Sequence, residues 1–143
     1  MNTFFCAQVC QACEAGKYNS QSAVEACLDC PANSESPIQS SHSSDCKCNA
    51  GLTGTDGGVC TECVAGKYKN ASGDAACTNC RATQYSAAIG ATSDVCQRCP
   101  SHSDSPAGSS LCNCDPGYSG PDGGSCTKCP LNMVMYLYTF VYI

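Results

Sequence analysis

The stretch Asp56-Gly-Gly-Val-Cys-Thr-Glu-Cys-Val-Ala-Gly-Lys-Tyr68 decides the organisation of this chain, because parts of it recur on both sides. Residues 9–18 (Val-Cys-Gln-Ala-Cys-Glu-Ala-Gly-Lys-Tyr) repeat its second half, and residues 122–129 (Asp-Gly-Gly-Ser-Cys-Thr-Lys-Cys) repeat its first half. Self-similarity at fixed spacing is the sequence signature of a repeat architecture. The pattern therefore predicts tandem cysteine-bounded segments rather than one ordinary domain.

The cysteine spacing gives the period of the repeat. The first set of five cysteines is Cys10, Cys13, Cys27, Cys30 and Cys46. The same spacing recurs fifty residues later as Cys60, Cys63, Cys77, Cys80 and Cys96. Four cysteines, from Cys46 to Cys63, recur 66 residues later as Cys112, Cys114, Cys126 and Cys129. The added length corresponds to one inserted segment, Cys80–Cys96, less a three-residue shortening of the next loop.

The segments are of three types. The first type opens with Ala-Gly-Lys-Tyr or has a tyrosine five residues after its cysteine, the second shares a Ser-Pro pair, and the third contains Asp-Gly-Gly. They are, in that order, Cys13–Cys27, Cys63–Cys77 and Cys80–Cys96; Cys30–Cys46 and Cys99–Cys112; Cys48–Cys60 and Cys114–Cys126.

Composition excludes a large apolar core. The 143 residues include 17 cysteines and no tryptophan, and a cysteine content above roughly one residue in ten marks a disulfide scaffold. Gly and Asp-Gly steps favour tight turns. We therefore predict a small disulfide-rich fold, an elongated tandem array of short β-hairpin and loop modules with little helix. One tyrosine per segment (Tyr18, Tyr68, Tyr85 and Tyr118) would form the local core, with a helical turn at most over 22–26 and 73–76.

Charge and cysteine content limit the partners and the compartment. The net charge is −5 and the seven Lys and Arg residues are scattered, so the basic face of a nucleic-acid binder is missing. Disulfides indicate an oxidising, extracellular or cell-surface location. Residues 1–10 lack a signal-peptide pattern. Either the signal lies upstream of a truncated start, which would make the chain a fragment of a longer ectodomain, or the extracellular location is wrong; we expect the fragment.

The last thirteen residues, 131–143, form an apolar tail without a charge. As a helix they would reach about 20 Å, short of the roughly 30 Å of bilayer hydrocarbon. Three interpretations stay open, namely a gene-model or truncation artefact, the start of a cut-off membrane helix, and an ordered strand. Membrane attachment through C-terminal sequence is therefore left open.

The cysteines admit two chemical interpretations, disulfide bonds or zinc ligands. Cys10-x2-Cys13-x13-Cys27-x2-Cys30 has the spacing of a tetrathiolate zinc site. The Cys46-x-Cys48 and Cys112-x-Cys114 pairs fit such a site poorly, and no basic face accompanies it. An intracellular zinc-binding protein with Cys-x2-Cys knuckles is the alternative to a disulfide array. A redox enzyme would need a βαβ context around its Cys-x-x-Cys motif.

The chain resembles the ephrin-receptor-like cysteine-rich repeat of the growth-factor-receptor cysteine-rich and EGF-like superfamily. The resemblance rests on Cys63-Val-Ala-Gly-Lys-Tyr68, on Cys99-Pro-x-x-Ser-x-Ser-Pro106 and on Cys112-Asn-Cys-Asp-Pro-Gly-Tyr-Ser-Gly120. It extends over about 10–129 and implies extracellular, disulfide-bonded, rod-forming modules of larger surface or secreted proteins. We expect a partial preceding repeat at 1–12, repeat 1 at 13–62, repeat 2 with one inserted module at 63–129, and the tail at 130–143.

The function expected from these features is non-catalytic, either spacing or protein binding. Leu52 stands where Tyr118 supplies the aromatic residue of the EGF pattern, and the acidic pair of calcium-binding EGF modules is missing, so no calcium or other cofactor is expected. Asp56 and Asp122 are interpreted as turn residues, and His42 and His102 as solvated loop residues. No catalytic or metal-binding residue is predicted, and the expected partner is a protein ligand or a neighbouring repeat.

Asn70-Ala71-Ser72 matches the acceptor motif for N-glycosylation, and an unmodified loop is the alternative.

Nearest-neighbour pairing is expected to dominate, because a two-cysteine segment can be inserted without re-pairing only if each segment closes its own bond. The expected pairs are Cys13–Cys27, Cys30–Cys46, Cys48–Cys60, Cys63–Cys77, Cys80–Cys96, Cys99–Cys112 and Cys114–Cys126. Spacing alone leaves open the interleaved EGF-like order, for example Cys13–Cys30 with Cys27–Cys46. Cys6, Cys10 and Cys129 remain, and Cys129 is predicted to be unpaired because it opens a loop that no later cysteine closes.

Overall fold

The computed structural model describes residues 11–20 and 26–130, in which the chain forms seven two-stranded antiparallel hairpins. In chain order the paired strands are β1 Lys17–Tyr18 with β2 Leu28–Asp29, β3 Ser34–Glu35 with β4 Lys47–Cys48, β5 Leu52–Thr53 with β6 Thr61–Glu62, β7 Lys67–Tyr68 with β8 Thr78–Asn79, β9 Gln84–Tyr85 with β10 Gln97–Arg98, β11 Ser103–Asp104 with β12 Asn113–Cys114, and β13 Tyr118–Ser119 with β14 Thr127–Lys128. Each hairpin pairs a strand of one cysteine-bounded segment with the linker that follows that segment. The predicted fold, a tandem array of short hairpins with almost no helix, is confirmed.

Every segment begins with the same turn. The amide of the fourth residue after the opening cysteine donates to the carbonyl of the first, as in Lys67 N to Val64 O at 3.2 Å. The third residue has a positive φ in all seven segments, and these residues are Gly16, Asn33, Gly51, Gly66, Thr83, His102 and Gly117. A positive φ at the third position of a four-residue turn defines a type II turn. The four glycines agree with the tight turns expected at Gly steps, whereas Asn33, Thr83 and His102 were not expected to adopt this conformation.

The second strand of each hairpin lies in the short linker between two disulfides. The first strand comes directly after the turn and pairs with this linker, for example Tyr68 with Thr78. In the Cys-x2-Cys linkers the amide of the next opening cysteine then donates to the turn, as in Cys63 N to Gly51 O at 2.9 Å; in the Cys-x-Cys linkers the following residue, Asn49 or Asp115, donates instead. Because the linker itself is a strand, each disulfide loop is joined to the next by a paired, ordered connection.

The buried side chains are cysteines and small or polar residues rather than aromatics. The largest fully buried side chains in the described part of the chain are Cys46, Cys48, Cys63, Cys80 and Cys112, and Ala91 is also buried. The four tyrosines predicted to form local cores are half-buried. The prediction that these tyrosines form the local cores is therefore wrong. Strands of two residues are too short to cover an aromatic ring, and the disulfides occupy the interior.

The helical turn of the structure lies elsewhere than expected. A 3-10 turn spans Ser43–Asp45, where the Asp45 carboxylate accepts the amides of Ser41 at 3.0 Å and His42 at 2.9 Å. Residues 73–76 form no helix, because the Gly73 amide donates to Cys48 O of the preceding segment, at 2.9 Å. Residues 22–25 of the other expected turn lie outside the described part.

Within the described residues, no helix has the length and apolar character needed to cross a bilayer. The apolar tail 131–143, for which three interpretations were left open, lies outside the described residues, as do Cys6 and Cys10.

Candidate functional site: the junctions between disulfide loops

Seven disulfides close the seven segments. They are Cys13–Cys27, Cys30–Cys46, Cys48–Cys60, Cys63–Cys77, Cys80–Cys96, Cys99–Cys112 and Cys114–Cys126, which is the nearest-neighbour set. Cys27 is bonded to Cys13 and Cys30 to Cys46, so the interleaved order does not occur. Each loop can therefore be added or lost as a unit.

The zinc alternative is wrong for these cysteines. A sulfur bonded to another sulfur is not the thiolate that zinc requires. The two cysteines of each Cys-x2-Cys motif also belong to different loops, as Cys60 and Cys63 do. Among the described residues, no group of three or more His, Cys, Asp or Glu side chains is placed to hold a metal ion. The motif marks a junction between loops and not a binding site.

Three of the Cys-x2-Cys junctions share a set of three backbone hydrogen bonds between consecutive segments, and the junction after Cys60 has two of the three. Between Cys63–Cys77 and Cys80–Cys96, Gly66 N donates to Ser86 O at 2.7 Å and Lys69 N donates to Ala91 O at 3.0 Å. A third bond runs in the opposite direction, from Gly90 N to Cys63 O at 2.8 Å. Equivalent bonds occur at the junctions after Cys27 and after Cys96. Repeated bonds of this kind hold each segment at a fixed orientation to the next.

A buried polar side chain, six residues after the opening cysteine, lies at each of these three junctions and at the junction after Cys60. The residues in this position are Ser36, Lys69, Ser86 and Ser105, which are 3–4% exposed. Three of them donate to the equivalent carbonyl of the preceding segment. The three bonds are Ser36 Oγ to Lys17 O at 3.0 Å, Lys69 Nζ to Leu52 O at 2.7 Å, and Ser105 Oγ to Gln84 O at 2.9 Å.

Lys69 is the exception in this series, because an ammonium group replaces a hydroxyl. Its Nζ also donates to Gly73 O in its own loop. A buried charge is costly unless it is hydrogen-bonded, and both carbonyls reduce that cost. The lysine thus ties the loop that follows Lys69 to the segment that precedes it. Sequence analysis missed all four buried residues, although their common position after the cysteine could have revealed them.

Some segments also approach the segment after next. A Cβ built on Gly51 would lie 2.4 Å from Gly90 O, and one on Gly66 would lie 2.2 Å from Gly108 O. Contacts below 3 Å are not found for real side chains, so only glycine fits at these two positions. At these two places, segments that are two apart in the array are therefore in direct contact.

Asp56 has a second role besides the predicted turn. Its carboxylate forms an ion pair with Lys47 Nζ, and the hydrogen bond that Lys47 donates to this carboxylate raises the pKa of Lys47. Asp56 also lines an open cleft of about 450 Å³ with Thr53, Gly54, Thr55 and Asp74. In the second copy, Asp122 is exposed and residue 113, in the place of Lys47, is asparagine.

The remaining predicted residues lie at the surface. His42 is exposed and precedes the 3-10 turn, while His102 is exposed and stacks on Tyr118 with ring centroids 4.0 Å apart. Asn70 is exposed in the loop after Lys69. Cys129 has a free thiol and is half-buried. Its amide donates to Gly117 O at 2.9 Å, the bond that opening cysteines make elsewhere; that it is unpaired in the oxidised protein stays a prediction.

Residues 52–95 match the family model described as "Tyrosine-protein kinase ephrin type A/B receptor-like". This region is similar to an ephrin-receptor-like cysteine-rich repeat. The matched residues of the ephrin-receptor-like repeat contain most of Cys48–Cys60, all of Cys63–Cys77 and most of Cys80–Cys96, and thus include the Lys69 junction. A comparison with curated proteins finds no match to the chain.

The match to this family and the seven disulfides of the array indicate an extracellular or cell-surface region. Repeats of this kind are receptor-ectodomain modules, which points to a non-enzymatic role and, at a coarse level, to protein–protein interaction.

Proposed function

We propose that the array is a non-catalytic spacer that holds neighbouring parts of a surface or secreted protein at a fixed separation. The observation that supports this function is the repeated junction. Paired linker strands and a repeated set of backbone hydrogen bonds orient consecutive segments at the junctions after Cys27, Cys77 and Cys96, and buried donors add a bond after Cys27, Cys60 and Cys96. Because each junction fixes the orientation of the next segment, the two ends of the array are held at a defined distance, as in other repeat proteins.

Solution scattering tests the spacer function. A compact protein of 143 residues would have a radius of gyration near 14–15 Å. The oxidised chain is expected to give a clearly larger value, and a Lys69→Met variant to give a broader distribution of distances because one junction is loosened. A compact wild-type particle would contradict the spacer function, because its segments would then fold back on one another.

A second candidate function, protein binding, is favoured by a specific feature of the surface. Large apolar side chains project into solvent from several segments, with Val59 80% exposed, Ile38 68%, Ile89 65% and Val64 60%. Val59 and Val64 lie on either side of the Cys60-x2-Cys63 linker. Exposed apolar residues at a rigid junction suit a protein ligand, since apolar contacts there cost little ordering entropy.

Cross-linking at this linker separates the two candidates. A photoreactive residue in place of Val59 or Val64 is expected to capture a neighbouring protein on intact cells if the array binds one. The matched control is the same residue in place of Ser125, which precedes Cys126 as Val59 precedes Cys60. Equal capture at all three positions, or none at any, would leave the spacer function alone supported.

A further inference from the structure

We propose that Asn70 carries an N-linked oligosaccharide, attached at the loop that the Lys69 junction holds in place. Asn70-Ala71-Ser72 is the one Asn-x-Ser/Thr motif in the 143 residues. The proposal does not depend on whether the array binds a protein or acts as a spacer. It requires the extracellular route, which the disulfides already indicate.

The motif itself is open to solvent. Asn70, Ala71 and Ser72 are all exposed, and none of the three lies in a strand or a helix. Within the described residues, neither the Asn70 amide nor the Ser72 hydroxyl has a hydrogen-bond partner in the protein. The acceptor nitrogen and the hydroxyl that the motif requires are therefore both free, and a bulky glycan can remain in water after folding.

The residues around the motif fix its position. Lys69, immediately before it, is 4% exposed and its ammonium donates to Leu52 O at 2.7 Å. Gly73, immediately after it, donates its amide to Cys48 O at 2.9 Å. Three exposed residues are thus held between two anchors on the preceding segment. The glycan would project from the junction of Cys48–Cys60 with Cys63–Cys77, beside the cleft that Asp74 lines.

The chemical step needs a lipid-linked oligosaccharide pyrophosphate as the sugar donor. The Asn70 Nδ2 forms a bond to the anomeric carbon of the first sugar, and the bond between that carbon and the pyrophosphate oxygen breaks. The amide loses one proton, and the lipid pyrophosphate leaves. No residue is oxidised or reduced, and the seven disulfides are unaffected.

The test uses the full chain, secreted from eukaryotic cells behind a heterologous leader. After reduction and alkylation, cleavage following Lys69 and Arg81 releases residues 70–81, which contain the acceptor motif. Mass spectrometry is expected to find this peptide glycosylated in the wild type and in Ser72→Thr. Enzymatic removal of the glycan should leave aspartate in place of Asn70.

Two variants remove the motif in different ways. Asn70→Gln removes the acceptor, and Ser72→Ala keeps the asparagine but removes the hydroxyl; both are expected to lose the glycan completely. Asn113→Gln is the matched control, because Asn113 is exposed and lies outside any such motif. An unmodified 70–81 peptide in secreted wild type whose seven disulfides are intact would overturn the proposal. Since that result comes from the wild type, it stands even if a variant fails to fold.

Discussion

The two Cys-x-Cys segments, Cys48–Cys60 and Cys114–Cys126, share a sequence pattern and a hairpin but not an environment. In both, a positive-φ glycine begins the segment, and a Cβ at the next glycine would lie 2.3 Å from a carbonyl of its own loop. Cys48 is 1% exposed and Cys60 is 9% exposed, whereas Cys114 and Cys126 are half-buried. The motif therefore determines the local fold, and the neighbouring segments determine the burial.

Contacts with other segments distinguish the first copy, and three of them can be altered one at a time. The first copy has Lys69 of the next segment on Leu52 O, Gly90 of the segment after next close to Gly51, and the 3-10 turn of the preceding segment against Gly57. The described part of the chain shows no counterpart of these contacts at the second copy. A Cβ built on Gly117 would meet nothing within 4 Å. Each contact can be removed separately, which makes the comparison testable.

Removing one disulfide from each copy should give the largest effect. Both bonds join cysteines twelve residues apart, so loop closure contributes about 3 kcal/mol to each. Replacing both cysteines by alanine should cost roughly 1–2 kcal/mol more at Cys48–Cys60, because it also removes well-packed buried atoms. Hydrogen exchange, followed segment by segment, measures the loss.

The extent of the disturbance is a second readout of the same variants. Loss of Cys48–Cys60 should lower amide protection in Cys63–Cys77 as well, whereas loss of Cys114–Cys126 should leave that segment unchanged. Equal losses confined to the altered loop would show that burial by neighbours contributes nothing to the first copy.

Glycine-to-alanine substitutions compare the stability cost of one added Cβ atom at equivalent positions of the two copies. Gly51→Ala and Gly117→Ala both place a Cβ on a left-handed residue, which costs about 1–2 kcal/mol. Gly51→Ala should cost roughly 1–3 kcal/mol more, because its Cβ would lie 2.4 Å from Gly90 O. Gly54→Ala and Gly120→Ala are the internal controls and should lose equal stability, since their closest contacts are both 2.3 Å. Denaturant unfolding of the oxidised proteins gives the four values.

These glycines show how far the sequence predicts the structure. The turn at Gly51 and Gly117 could be predicted, because a local motif requires a positive φ in both. The close approach of Gly90 to Gly51 could not, because it depends on the angle at two successive junctions and no residue pattern records that angle. The same limit explains the buried tyrosines that were expected wrongly, since nothing in the spacing shows that strands of two residues leave a ring half-exposed.

The disulfide pairs could be predicted from the sequence, whereas the buried side chains at the junctions could not. The insertion of Cys80–Cys96 indicated the nearest-neighbour pairs, because segment length is a local property. Ser36, Ser86 and Ser105 look like ordinary surface serines in a serine-rich chain, and their burial follows only from the preceding segment. Lys69 was still less expected, because a charged residue in that position predicts exposure.

Lys69 substitutions should have an intermediate effect and sharpen the comparison at the junction. Lys69→Met leaves Leu52 O and Gly73 O without their donor, at a cost of about 1–3 kcal/mol. Lys69→Ser should cost less, because a serine hydroxyl can make this bond. Ser36 and Ser105, in the same position of their segments, donate to the carbonyl that corresponds to Leu52 O. Lys67→Met, at a half-buried residue two positions earlier, is the matched control.

Thermal unfolding ranks these variants, and exchange of the Gly73 amide shows whether the loop has loosened. If Lys69→Met were as stable as Lys67→Met, the buried ammonium would contribute nothing to the junction, and the greater burial of the first copy would need another cause.

The smallest expected effect is the response of the 3-10 turn to acid. Hydrogen bonding to the His42 amide lowers the pKa of Asp45 below its ordinary value of 3.8. A carboxyl group whose pKa is lower in the folded state stabilises that state above its unfolded pKa, and this stabilisation is lost as pH falls through the folded pKa. Leu111 takes the place of Asp45 before the second copy. The turn Ser43–Asp45 should therefore loosen in acid, whereas residues 109–112 should not respond.

Amide chemical shifts followed from neutral to acidic pH measure this difference directly. The Ser41 and His42 amides should shift with the midpoint of the Asp45 titration, which lies below 3.8. Asp45→Asn should abolish that transition and reproduce the acid spectrum of the turn at neutral pH. Because the Cβ position of Gly57 lies 2.6 Å from Ser43 O, the Gly57 amide should move with the turn, and Gly123 in the second copy should stay still. Parallel movement of Gly57 and Gly123 would mean that acid acts on the two copies alike, through charge on the whole chain rather than through the turn that distinguishes them.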